Sequence, residues 1–156
     1  MVKKKILLLG ASGFIGRQLF NKLGVANTIG TYRTKPFEHG VFFDSLNTKL
    51  CDVINNPEQI SHAIILLGIV RPDVCAQNEN QSQQINVDSV IKILKQLKSW
   101  HIKPIYASSE SIFDGNHSYE NTFWGSATKY TSLVTNDEKF VSEIAYMMVT
   151  LHRTGS

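Results

Sequence analysis

The sequence predicts an α/β fold, a doubly wound parallel sheet with strand order 3-2-1-4-5-6. Three observations predict it. Short apolar runs alternate with segments of helical periodicity along the chain. A glycine cluster, Gly10 to Gly16, joins the first apolar run to the first helical segment. The run Ala63-Val70 (AIILLGIV) is continuously apolar, as a strand covered on both faces requires. Right-handed crossovers then put helices on both faces, with a ligand crevice at the switch point between strands 1 and 4.

Each element follows from its residues. Lys5-Leu9 reads as a buried strand closed by glycine. Phe14 to Leu23 reads as a helix, with Ile15, Leu19, Phe20 and Leu23 on one face. Thr28-Tyr32 is a second strand and Val41-Phe43 a short third. Leu46 to Ile54 reads as a short helix, and Ala63-Val70 as the fourth strand. Pro72 opens a polar stretch, after which Ile85 to Leu97 repeats apolar residues at helical spacing. Pro104-Ala107 is a fifth strand, Tyr130 to Tyr146 a further helix, and Met147-Leu151 a sixth strand.

Composition narrows the function classes. At 156 residues the chain has the size of one domain, read as spanning 1–156. Its 42% apolar and 19% charged residues are ordinary for a globular protein and exclude a disordered or collagen-like chain. The formal charge of +3 does not call for a nucleic-acid partner, which needs a basic face. Cys51 and Cys75 lack metal-ligand spacing and read as free thiols of a reducing compartment. The five histidines are scattered, so no metal site is expected. No stretch approaches the roughly 20 apolar residues of a membrane helix. The basic start and Ile6-Leu9 are too short for a signal peptide. A cytoplasmic location is the expectation.

The glycine loop carries the chemistry. In Gly10-Ala11-Ser12-Gly13-Phe14-Ile15-Gly16, Gly10 would allow the tight turn and Gly13 the approach of a pyrophosphate. Gly16 would allow close helix–strand packing. Ser12, Phe14 and Ile15 complete the loop, whose helix N-terminus presents free N–H groups to phosphates. The alternative is a tight turn with no ligand. After the second strand, Thr31-Tyr32-Arg33-Thr34-Lys35 holds no acid for a ribose diol. Arg33, helped by Lys35, suits a 2′-phosphate, so NADP is preferred over NAD. The alternative is a solvated arginine.

The three-and-three glycine spacing, with Arg17 after it, resembles the extended short-chain dehydrogenase/reductase family, an NAD(P)-binding Rossmann fold. Ala107-Ser108-Ser109-Glu110-Ser111-Ile112-Phe113-Asp114-Gly115 resembles the "STD-x-VFDG" segment of dTDP-4-dehydrorhamnose reductases and related nucleotide-sugar enzymes. On this resemblance Ser109 is the catalytic Ser/Thr that meets a substrate oxygen. Tyr130 is the catalytic tyrosine, with Glu138 in register. Asp44, after the third strand, is the residue that meets the adenine edge; a turn or helix N-cap is its other reading. Gln84-Ile85-Asn86-Val87 resembles the family's "NV" helix start, where Asn86 either packs near the active site or is simply a polar helix residue. Leu151-His152-Arg153-Thr154-Gly155-Ser156 resembles the "LRTS" stretch, which leads into the substrate-binding part.

Three positions depart from the pattern: Ser126 and Thr131 stand where the family has Pro and Gly, and the third bears on the chemistry. The family's Lys four residues after the Tyr is Val134 here. Tyr and Lys at i and i+4 share a helix face, and the ammonium lowers the Tyr pKa from about 10. Lys129 is no substitute, since five helical steps of about 100° separate it from position 134 in angle.

Two functions from different classes follow. One is an NADP-dependent reductase of a nucleotide-activated keto sugar. The other is a non-catalytic NAD(P)-binding regulatory or sensor protein. A fragment of a longer enzyme is a third reading, because extended-family enzymes build the sugar pocket after the sixth strand. A C-terminal substrate region is therefore expected to be absent, and a homo-oligomer or partner chain would complete the site. Tyr119, Phe123 and Trp124 read as a packed loop or a crevice lining, and Lys92, Lys95 and Lys98 as a solvated helix face.

Overall fold

The structure, a computed structural model, describes residues 4–69, 71–108 and 145–148. Its strands are β1 (Lys5–Leu9), β2 (Thr28–Tyr32), β3 (Val41–Phe42), β4 (Ile60–Ile65), β5 (Lys103–Ser108) and β6 (Ala145–Met148). They form one parallel sheet in the order β3-β2-β1-β4-β5-β6. The α/β doubly wound fold and its strand order are those expected.

Strand alternation divides the core between the two faces. Leu7 and Leu9 of β1 point with Ala63 and Ile65 of β4 toward one face. There they meet Val90, Ile93, Leu94 and Leu97 of helix α4 (Ser89–Ser99), together with Phe43, Leu50 and Ile54. Leu8 and Ile64 point to the other face, against Ala11 and Phe20 of the loop and helix α1 (Phe14–Leu23). Each fully buried leucine is worth about 2 kcal/mol. The sheet is therefore held between α1 and α4, and the carboxyl ends of its strands share one edge.

Helix α1 begins at Gly13, whose backbone is extended, and stops at Gly24, at φ +82°. The Gly24 N–H closes the helix by donating to the Phe20 carbonyl at 2.9 Å. These bounds and those of β1 and β2 match the sequence reading.

Other elements differ from it. No helix runs from Leu46 to Ile54; a 3-10 turn occupies Leu50–Asp52 only. The Asp44 carboxylate accepts from the Leu46 N–H, the Thr48 hydroxyl accepts from the Asp44 N–H, and the Asp52 carboxylate accepts from the Lys49 N–H. These side chains compete with helical bonding. Strand β4 starts at Ile60 and ends at Ile65, before the apolar run does. Leu66 still donates to Leu9 at 3.0 Å, and the chain then turns through Gly68 at φ +153°. Val70 lies outside the described residues. The stretch after Pro72 contains two short helices, α2 (Pro72–Gln77) and α3 (Glu79–Gln83). They run six and five residues, too short for an apolar repeat to mark either one. The expected helix Ile85–Leu97 is a π-helical turn, Gln84–Asp88, leading into α4. Strand β3 is one residue shorter than expected, although Phe43 N–H still donates to Tyr32 at 2.8 Å. Strand β5 is one residue longer at each end. Ala145 and Tyr146 belong to β6 and not to the helix expected over Tyr130 to Tyr146. Residues 130–144 and 149–151 of those two readings lie outside the described residues.

Candidate functional site

The site is built where β1, β2, β3 and β4 end. The Gly10 N–H donates to the Thr31 hydroxyl of β2 at 3.1 Å, and Thr31 is buried. This bond ties the glycine loop to the neighbouring strand. Gly10 sits at φ +87°, and a Cβ on it would lie 2.9 Å from the Leu66 carbonyl oxygen. A Cβ on Gly16 would lie 2.2 Å from the Gly10 carbonyl oxygen. Both glycines are required by the fold itself.

Gly13 is different. Its φ of −71° and ψ of 171° suit any residue. A Cβ there would meet only the Gly10 oxygen, at 3.4 Å, an ordinary contact. The protein's own packing does not explain this glycine. It leaves open the space before α1, whose first turn has no side-chain cap and no acidic residue. Free N–H groups and a positive helix end there suit a phosphate. Ser12 and Ile15 flank that space half-buried, and Phe14 is 82% exposed.

Arg33 and Asp44 come together. They follow adjacent parallel strands, with Arg33 Nε 3.6 Å from Asp44 Oδ1. Asp44 Oδ1 also accepts from the Leu46 N–H at 3.2 Å, and Oδ2 from Asn47 Nδ2 at 2.9 Å. Asp44 is therefore a turn-capping residue and the partner of Arg33 at once. Partial burial pushes its pKa up, but the Asn47 amide, the Leu46 N–H and the Arg33 guanidinium together hold it below the ordinary value. A depressed folded-state pKa contributes stability that is present above the unfolded aspartate value of about 3.9 and is lost as pH falls through the folded value. Asp44→Asn is expected to flatten the fall in melting temperature below about pH 4. An identical acid limb for both proteins in thermal melts would show that Asp44 contributes nothing there.

Asn86 is no idle polar helix residue, since it bonds the backbone of the loop after β4. Its Oδ1 accepts from the Ile69 N–H at 2.7 Å and its Nδ2 donates to the Ile69 carbonyl at 3.0 Å. It clamps the loop after β4 from within a π-helical turn, a geometry often found beside functional sites.

Residues 6–134 match the NAD dependent epimerase/dehydratase family. The chain belongs to this family. Among solved structures it is similar to a hypothetical dTDP-4-dehydrorhamnose reductase from Sulfolobus tokodaii, with a TM-score of 0.66 and 18% identity. That likeness covers 92% of this chain and 54% of the other. It is also similar to MoeE5 in complex with UDP-glucose and NAD, with a TM-score of 0.61, 19% identity, and coverage of 92% and 52%. Among curated proteins it is 28% identical over 119 residues to methionine adenosyltransferase 2 subunit beta from Bos taurus. That match covers 73% of this chain and 35% of the relative. The chain thus spans about a third to a half of the length of these proteins.

Ser109 and Tyr130, the expected catalytic pair of this epimerase/dehydratase family member, lie outside the described residues, as does Val134. The expected absence of a metal cluster concerns the whole chain; among the described residues no group of three or more His, Cys, Asp or Glu side chains converges. Among them also, no helix is long and apolar enough to cross a membrane.

Three residues that support the site are not evident from sequence patterns alone. Thr31 holds Gly10, but a buried Thr in an apolar strand gives no signal of its partner. Gly30 admits Phe20 of α1, since a Cβ there would lie 2.7 Å from its ring. A glycine inside a strand is the available sign of such an approach. Phe37 pins the loop between β2 and β3. Its ring meets Phe20 edge-on at 5.0 Å and carries the Arg17 guanidinium at 4.2 Å. Apart from Pro36 it is the apolar residue of the loop 33–40, which is the signal for it.

Proposed function

We propose that the chain binds a nicotinamide dinucleotide, NADP in preference to NAD, and supplies the cofactor half of a reductase for a nucleotide-activated keto sugar. The observation that carries this reading is the space kept open by Gly13 before an uncapped, acid-free helix N-terminus. Gly10, Ser12, Gly13, Phe14, Ile15 and Gly16 would hold the pyrophosphate, Arg33 a 2′-phosphate and Asp44 the adenine edge. When bound in its reduced form, the cofactor supplies a hydride. Ser109 would orient the sugar keto oxygen, and Tyr130 would donate the proton that it takes up. The nucleotide-sugar names of several similar structures support the substrate class.

A second reading is a non-catalytic NAD(P)-binding regulatory subunit. Two observations favour it: Val134 stands where the tuning Lys belongs, and a curated relative is itself named as a subunit. Fluorescence titration with NADPH and NADH tests both readings, and binding of neither overturns both. Turnover of a dTDP-4-keto sugar separates them. Under the first reading Val134→Lys is expected to raise turnover by at least about tenfold, by bringing the Tyr130 pKa toward neutrality. If Val134→Lys binds cofactor and still gives no turnover, poor tuning of Tyr130 is not the limiting defect. A cytoplasmic location and a completing partner chain or second copy belong to the same proposal.

A further inference from the structure

Arg33 is the exposed member of its pair and Asp44 the more enclosed one. The Arg33 side chain is 47% exposed and that of Asp44 14%. Asp44 is held from several sides: Leu46 and Asn47 donate to its carboxylate, and the Asn47 and Thr48 N–H groups both donate to its carbonyl, at 3.0 and 2.7 Å. The exposed guanidinium therefore rests against a carboxylate that does not move away.

Resting on the dinucleotide reading above, we propose that Asp44 sets how strongly this site distinguishes a phosphorylated from an unphosphorylated ribose. A 2′-phosphate that engages Arg33 must either draw the guanidinium off Asp44 or accept a carboxylate on the same cation. Both routes subtract from the gain of the new charge-assisted bonds. An unphosphorylated ribose brings no charge and meets no such opposition. Asp44 thus narrows the preference that Arg33 alone would confer, and the pair acts as a specificity determinant across two strand ends. Lys35, exposed in the same loop, adds positive charge and pairs with no carboxylate among the described residues.

The test is the ratio of dissociation constants for NADH and NADPH, measured by fluorescence titration on the full chain. Wild type is compared with Asp44→Asn, Asp44→Ser and Arg33→Ala. Both replacements at 44 keep an oxygen for the Leu46 N–H, and thermal unfolding followed by circular dichroism reports that each variant is folded. Contacts to adenine are common to both ligands, so their loss cancels in the ratio. Asp44→Asn and Asp44→Ser are each expected to raise the preference for NADPH about threefold or more. Arg33→Ala is expected to lower it about tenfold. An unchanged or reduced preference in both Asp44 variants, with the Arg33→Ala loss present, overturns the proposal and leaves the dinucleotide reading intact. An Arg33→Ala ratio equal to wild type overturns it as well, since Arg33 then reads no phosphate. If wild type binds neither ligand, the underlying reading fails and the proposal falls with it.

Discussion

Gly16→Ala is expected to destabilise the protein by about 3 kcal/mol. The added methyl would sit 2.2 Å from the Gly10 carbonyl oxygen and 2.8 Å from the Ala11 Cα. Neither neighbour is the end of a flexible side chain. Gly10 is tied through its N–H to Thr31, and Ala11 is fully buried against Phe20 and Leu8. Relief therefore requires α1 to lift from β1, which opens the core on that face. A loss of that size lowers the melting temperature by about 6–12 °C in a chain of this length. Thermal unfolding followed by circular dichroism measures it. A drop smaller than about 2 °C would mean that the loop yields where the geometry says it does not.

Gly13→Val should show the opposite pattern. The residue has an extended backbone open to valine, and its nearest neighbour is at ordinary contact distance. Stability is expected to stay within about 1 kcal/mol of wild type: the loss of a favourable glycine N-cap is partly offset by the lower backbone entropy of valine in the unfolded chain. Dinucleotide affinity is expected to fall by about 100-fold, since the branched side chain occupies the space before the free N–H groups. Equilibrium titration and a melting curve on one preparation test both halves. Undiminished affinity would remove the reason for assigning that space to a pyrophosphate. The two glycines are three positions apart, and the contrast between them separates what the fold demands from what a ligand would demand.

Much of this arrangement was legible in the amino-acid order. β1, α1 and β2 are each bounded by glycine or a change of period, so their limits are local properties. The glycine loop was legible for the same reason. β4 was not, because Leu66 and Leu67 stay apolar past the ladder and pack against the two cores. What ends that region is Asn86 reaching Ile69 from a distant helical turn, a long-range event without a local mark. The segment after Asp44 misled for another reason. Its apolar spacing fits a helix, while Asp44, Thr48 and Asp52 bind nearby backbone instead. Within the candidate site, Arg33 and Asp44 were each visible as single residues. Their pairing was not, because it depends on β3 lying beside β2.

That short third strand has a consequence of its own. β3 pairs with β2 through only Thr31–Val41 and Tyr32–Phe42. Among the described residues its other side is unpaired and offers a two-residue template, preceded by a loop carrying Lys35, Glu38 and His39 and followed by the turn at Asp44. A foreign strand needs a longer row of unpaired amides to add on, and charges beside the row deter it. A short edge flanked by charge thus guards the sheet on this flank against strand addition beside the half-exposed Phe42.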